Sequence, residues 1–405
     1  MQEKIMKLKQ RVFMVILFMT FLICSGRIGM IRSDAAARAT SYPSGVQSWT
    51  GSNITWIYNF SSKTIIVSGT GDMPTSEAPW KGLLQNTYDT SQDYVQYIVI
   101  DDGITSIANN AFINDNTIKG IVIGNTVTKI GSNAFNCTAT TVLVNGGSTN
   151  QTIGSGAFSN LKSTCEIQYV KANTNFYNLV KSSSSNLKTL NDKGFMTISS
   201  NTDWSNKIII ASDNGYIVGR YQITNDFDFY GNFKYVYTVN SVQSIQTEDH
   251  ALIPYKVYRS SNTYKSMNAT AIKFVGVLDG DGHKISRVRY GLFFGNYGVI
   301  RNLTIKGEET SANPFTAYCD NKNYSWTGNI LMLRTGTVSA DNYGIIDSVA
   351  IEGARYSSHT VYSHSKETEY KENREYPGGG ISAINYGLIK KCQIDATLRG
   401  TRCGG

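Results

Sequence analysis

Short β-branched runs punctuate the first half of the chain: Ile98-Val99-Ile100, Ile121-Val122-Ile123 and Val142-Leu143-Val144. Each precedes an Ala-Phe pair, at 111–112, 134–135 and 157–158, so the pairs recur every 23 residues. A fixed period in the twenties predicts a solenoid, in which each repeat buries its apolar face only against its neighbours. Within Gly120-Ile121-Val122-Ile123 the period of two sends Ile121 and Ile123 to one face and Val122 to the other. Ile130, Ala134 and Phe135 then return to close the interior. The small Ala leaves room for the rings of Phe112, Phe135 and Phe158 to stack from repeat to repeat. On the outward face, Val99, Val122 and Leu143 are expected to align across three strands. Such a stripe is either a macromolecule-binding surface or a seam covered by a neighbouring segment.

Ahead of the repeats, 40–90 reads as a capping unit. Ile54 to Phe60 and Thr64 to Ser68 predict two strands joined at Ser61-Ser62-Lys63, with Trp49, Trp56 and Trp80 around them. The repeats themselves occupy 91–172. A joint follows over 173–206, with a short helical turn at Asn175 to Val180. A second echo then begins. Asn296-Tyr-Gly, Asn342-Tyr-Gly and Asn385-Tyr-Gly recur at 46 and 43 residues, each leading into a strand. Gly supplies a permissive turn, and stacked Asn296, Asn342 and Asn385 side chains are expected to hydrogen-bond from coil to coil. The spacing predicts one further coil between successive signatures. Asn313–Asn329 and the charged Arg355–Tyr376 interrupt the pattern and read as loops extruded from it.

Trp56, Ile65-Ile-Val-Ser-Gly-Thr-Gly-Asp-Met73, Ala78-Pro-Trp80 and the three Ile-x-x-x-Ala-Phe repeats together resemble the BspA-type leucine-rich-repeat proteins over roughly 49–170. That resemblance implies an exported bacterial protein of host-associated communities. Phe274-Val-Gly-Val-Leu-Asp-Gly-Asp-Gly-His-Lys-Ile285, Gly291-Leu-Phe-Phe-Gly-Asn-Tyr-Gly298 and Asn302-Leu-Thr-Ile305 are similar to the GLUG-motif family of bacterial surface proteins. It implies a right-handed parallel β-helix over 207–405. The expected fold is therefore mainly β: a short leucine-rich-repeat solenoid followed by a right-handed parallel β-helix, open at its end as in a fragment of a longer chain.

Composition alters this picture in one respect. Residues 1–39 combine a basic start (Lys4, Lys7, Lys9, Arg11) with an apolar run from Val12 to Cys24, the pattern of a signal peptide. They hold seven Lys/Arg and two Asp/Glu, so +5 of the total +8 belongs to them and only +3 to the remainder. The basic balance thus gives no support to nucleic-acid binding. Cys137, Cys165, Cys319, Cys392 and Cys403 are too sparse for a disulfide framework, and no zinc-site spacing occurs.

Candidate chemistry centres on Asp279-Gly-Asp281-Gly-His283. Two carboxylates two residues apart are candidate Ca²⁺ ligands or an acid/base pair for polysaccharide cleavage. The same string is also an ordinary tight turn, which is the preferred reading. His359 and His364, with Glu367, Glu369, Glu372 and Glu375, read as a solvated charged loop. Tyr216, Tyr221, Tyr230, Tyr235 and Tyr237 crowd one stretch and are a second candidate recognition surface. The expectation is a secreted or cell-surface protein with no catalytic residues, cofactor or metal and no membrane span once the leader is removed. It binds a host or bacterial surface protein or glycan; the rivals are a polysaccharide lyase or hydrolase and a passive spacer.

Overall fold

The computed structural model describes residues 45–84, 95–113, 117–137, 140–184, 186–212, 215–229, 233–239, 242–248, 255–259, 267–288, 291–307, 335–356, 361–365, 368–372, 378–398 and 403–404. Of 233–270, 354–379 and 396–404 only the backbone is described. The predicted leader, 1–39, and the segment Asn313–Asn329 lie outside the described residues.

The capping unit forms as the pattern of its strands requires. Asn53–Asn59 runs antiparallel to Thr64–Asp72, and Lys63 turns the corner at φ 57°. The second strand then starts a parallel ladder, with Ile65 opposite Ile98. Tyr97 lies opposite Gly120, Gly120 opposite Val142, Val142 opposite Glu166 and Ile167 opposite Leu187, steps of 23, 22, 24 and 20 residues. Ile98, Ile121, Leu143 and Ile167 form one fully buried column across it.

Beside that column the rings stack as expected. Trp80, Phe112, Phe135 and Phe158 follow one another at centroid separations of 5.2, 5.3 and 5.5 Å, within 10° of parallel. Trp49 and Trp56 meet Trp80 edge-on and close the first end. Backbone bonds from Phe112 N to Ala134 O and from Phe135 N to Ala157 O hold one turn on the next. The residue ahead of each pair is left-handed: Asn110, Asn133 and Gly156 have φ of 56°, 53° and 69°. Asn and Gly are the residues that accept this conformation most readily, which explains their place in the repeat.

The ladder continues past the third Ala-Phe pair. Asn173 caps a helix over Thr174–Val180 by accepting a hydrogen bond from Phe176 N. That helix delivers Phe176, which meets Phe158 edge-on at 5.6 Å. Leu187–Leu190 then adds a further parallel strand. The 173–206 stretch, read as a joint, therefore carries another rung of the first half.

The second half is also built of parallel ladders. One passes from Tyr216–Ile223 to Lys273–Asp279, then to Val299, Ile345 and Leu388. A second links Lys284–Val288 to Thr304, Ala350 and Gln393. A third joins Phe293–Asn296, Ser339–Asn342 and Ser382–Asn385. Asn302, Ser348 and Lys391 turn equivalent corners at φ of 52°, 55° and 52°.

One expectation fails here. No coil intervenes between the Asn-Tyr-Gly signatures, because Asn296 Nδ2 donates directly to Asn342 Oδ1 at 2.8 Å, and Asn342 Nδ2 to Asn385 Oδ1 at 2.7 Å. The surplus residues fall in 308–334, which lies outside the described residues, and in 357–377. The second stretch contains the antiparallel hairpin Val361–Ser365 with Thr368–Glu372.

Candidate functional site

Alternation along the strands decides what each face meets. In the second half Phe274, Leu278, Ile300 and Ile346 turn into its interior, while Val275, Val277, Val299 and Ile345 turn outward. The outward set packs on Ile66, Tyr97, Val99, Val122 and Val144 of the first half. Two parallel sheets thus bury both of their faces, which explains their unbroken β-branched runs.

The proposed stripe Val99, Val122 and Leu143 is consequently not solvent-facing, since all three are fully buried. Val99 and Val122 lie in the seam between the halves. Leu143 is not in the same row at all. The third strand steps by 22 residues rather than 23, so Val122 faces Val144, and Leu143 joins Ile121 in the interior column. A shift of one residue exchanges the two faces of a strand.

Polar residues pin one side of this seam. Arg220 is fully buried; it donates to Asp102 Oδ1 at 2.9 Å and Gly194 O at 3.1 Å, and its guanidinium lies 4.4 Å from the Phe195 ring centroid. Arg301 donates to Asp279 Oδ2 at 2.9 Å, to Asp101 Oδ1 at 3.2 Å and to Asp102. Burial opposes the charge of Asp102, yet Arg220 and Arg301 outweigh it and hold its carboxyl below the usual range. Burial pushes the neighbouring Asp101 carboxyl up, against the pull of Arg301.

This arrangement also places the sequence candidates. Asp279 is an anchor of the seam: besides Arg301, its carboxylate accepts from Asp281 N at 2.9 Å and Asn302 Nδ2 at 3.2 Å. Asp281 sits at φ 49° and accepts from Gln222 Nε2 at 2.7 Å. His283 pairs instead with Asp226, at 3.0 Å. Among the described residues no group of three or more His, Cys, Asp or Glu side chains is arranged to hold a metal ion.

Tyr221 is buried, and Tyr216 stacks on Tyr97 at 5.5 Å beneath the ammonium of Lys273, so neither offers an open ring face. Tyr230 and His359, and the side chains of Tyr235, Tyr237 and His364, lie outside the described residues. Cys165 and Cys392 are free thiols, and Cys137 is buried with its Sγ donating to Phe112 O; Cys319 and the side chain of Cys403 lie outside the described residues.

Sequence reasoning missed a cleft. Beyond Val144 the seam row continues as Gln168 and then Lys188, where apolar gives way to polar. There the two halves part around a cleft of about 750 Å³. One wall runs across the strand starts of the first half, from Gln96 and Lys119 through Thr141 to Gln168 and Asn186. At about 4.8 Å between strands, that wall extends roughly 19 Å. The other wall comes from Met196, Asn206 and Val218 of the second half.

Gln168 is 4 % exposed. Its Nε2 donates to Glu166 Oε1 at 2.7 Å, and Glu166 Oε2 accepts from Lys188 at 2.7 Å. A carboxylate only accepts, so the amide orientation is fixed and Gln168 Oε1 is left as a buried acceptor with no protein partner. The signal available in the sequence was the change from Val99, Val122 and Val144 to Gln168 along one row. Reading it required the register.

Residues 85–208 match the family described as "BspA type Leucine rich repeat region", in six copies. Repeats of this type are typical of bacterial surface proteins, and leucine-rich-repeat domains generally mediate protein binding. The Ala-Phe signature marks three of the copies only, because later rungs place Phe176 on a helix. No curated protein and no solved structure matches the chain. Among the described residues no helix is long and apolar enough to cross a membrane. The stretch 85–208 is thus similar to the BspA-type repeats of bacterial surface proteins, and the match reaches past Met196–Ile198, which already pairs in parallel with Tyr221–Ile223 of the second half.

Proposed function

We propose that this is an exported bacterial surface protein, adhesin-like and non-enzymatic, that binds host or community macromolecules. The observation that carries the reading is the BspA-type match over 85–208, together with a folded solenoid-like ladder across it. The second half is read as a right-handed parallel β-helix of the GLUG kind. Support comes from three parallel ladders with direct Asn-to-Asn bonding and from its closely approaching glycines. A Cβ on Gly344 would lie 2.0 Å from Gly298 O, and one on Gly387 2.0 Å from Gly344 O. A binding role without catalysis is favoured by the engagement of Asp279 and Asp281 in turn and ion-pair contacts.

With the apolar stripe covered, the cleft between the two halves is taken as the site in this reading. The test is an array of host matrix proteins, mucins and bacterial polysaccharides probed with the full chain. Saturable binding to at least one class is expected, and a blank array overturns the reading. New reducing ends or unsaturated products from the same polysaccharides would overturn its non-enzymatic part.

A further inference from the structure

We infer that the cleft between the two halves binds a short stretch of a linear oligosaccharide, with Gln168 as its buried polar anchor. This inference rests on the reading of the protein as a binding protein and names the ligand class at that site. The first reason is donor–acceptor balance. Gln168 Oε1 is an acceptor inside a residue that is almost wholly buried, and its amide nitrogen is already committed to Glu166. A buried acceptor left unpaired is unfavourable, so the complementary ligand group is a donor. Phosphate, sulfate and carboxylate ions only accept and do not complement it. A sugar hydroxyl donates to one partner while accepting from another.

Secondly, apart from the ion-paired Glu166, Lys188 and Lys207, the polar lining has the same two-way character. The side chains of Gln96, Thr141, Asn186 and Asn206 each donate and accept, and Lys119 adds a donor at the exposed rim. Val142, Met196, Ile217 and Val218 supply apolar surface among them, suited to the C–H faces of sugar rings.

Thirdly, the size fits a small ligand or a segment of a chain. About 750 Å³ lies within the range of ligand pockets and is far below what a protein partner occupies. Protein partners also favour sockets for aromatic or Arg anchors. Here Tyr97 and Tyr216 are stacked on each other, which leaves no such socket between them.

The experiment is isothermal titration of the full chain with chitotriose, maltotriose, N-acetyllactosamine and a hyaluronan tetrasaccharide. Inorganic phosphate and a Gly-Ser-Thr heptapeptide are the comparison probes. At least one saccharide is expected to bind with one-to-one stoichiometry. Gln168→Leu should weaken that saccharide about tenfold or more, the effect of losing a buried hydrogen bond to ligand. Asn206→Ala, at an exposed position on the opposite wall, should weaken it severalfold, and decides the matter if Gln168→Leu fails to fold. Failure of every saccharide to bind, preferential binding of phosphate or the peptide, or unchanged affinity in both variants overturns the inference. If the array is positive while all saccharides fail, the cleft assignment falls and the adhesin reading stands. A blank array removes the adhesin reading, whereas saccharide binding in the cleft would survive it.

Discussion

The two halves meet the same requirement, holding one parallel rung on the next, with opposite chemistry. In the first half, rings stack in the interior: Trp80, Phe112, Phe135 and Phe158 are nearly parallel, and their hold is dispersion and apolar burial. In the second half, the amide ladder Asn296, Asn342 and Asn385 sits at a corner, with Tyr297, Tyr343 and Tyr386 stacked beside it at 4.7 and 5.0 Å. Each amide also accepts from the glycine two residues on, as Asn296 Oδ1 does from Gly298 N at 3.1 Å. A ring stack tolerates small shifts, since dispersion is non-directional. An amide ladder requires a fixed rise, because each donor must find its acceptor. The difference suits their loops: the second half makes long excursions between rungs and still regains register at each Asn.

Several experiments can break or sharpen this contrast. The largest effect is expected from Val122→Lys, which puts a charge into the seam shared by both halves. Its destabilisation should be on the order of several kcal/mol, and intrinsic fluorescence and circular dichroism should no longer unfold together. Coincident, unshifted transitions would show that the halves do not depend on each other. Phe112→Ala removes the middle of the ring stack and should cost about 3–5 kcal/mol in urea unfolding. An unchanged midpoint would mean that the stack is not the support of the first half.

Arg220→Met tests the polar side of the seam. Asp102 keeps Arg301 in this variant, so a loss of about 3 kcal/mol at neutral pH, the low end for a broken buried pair, is expected. Because the carboxyl of Asp102 is held below its ordinary range, its contribution is present above the unfolded-state pKa. It is lost as pH falls through the folded one. The gap between Arg220→Met and the wild type should therefore narrow below about pH 4. Asp101, raised by burial, runs the other way: its contribution is lost as pH rises through its folded pKa. Arg220 is the largest favourable influence on Asp102 and the smallest of those acting on Asp101, so the difference between the two proteins reports mainly on Asp102. A gap that widens in acid contradicts the assignment.

Asn342→Ala should cost less than Phe112→Ala, about 1–3 kcal/mol. It leaves Gly344 N without its side-chain acceptor, while Asn296 Nδ2 retains Ile345 O at 3.2 Å. A cost above that of Phe112→Ala would reverse the comparison of the two ladders. The smallest perturbation is chemical. Burial pushes the Cys165 thiol up to about 12, and Cys137 is enclosed with its Sγ 3.2 Å from Phe112 O. Iodoacetamide at pH 8 on the intact protein should label the part-exposed Cys392 ahead of both, as read by peptide mass mapping. Faster labelling of Cys165 would show that the first half opens more readily than the second.

Much of the first half was legible because its signals are local. The hairpin and the ring column each follow from a few neighbouring residues, the rings repeated at one spacing. The ladder's extension was not legible, because Phe176 reaches the stack from a helix with no Ala-Phe signature. In the second half the Asn ladder was expected, but adjacency was misjudged: sequence distance counts residues in the excursions together with those in the rungs. Of the candidate site, Asp279 and Asp281 were visible as a motif and proved to be bound into the turn and the seam. Gln168, an ordinary strand residue by sequence, was not visible.

The sequence by itself determined the repeat units, since periodic apolar positions must be buried against their copies at the same spacing. Only the tertiary structure decided which outward face is free. Val99 and Val122 read as either surface or seam, with cover favoured, and the segment that covers them came from another sheet more than a hundred residues away, through Val277 and Val299. The same meeting of sheets made the cleft, which opens between the strand starts of the first half and Met196, Asn206 and Val218.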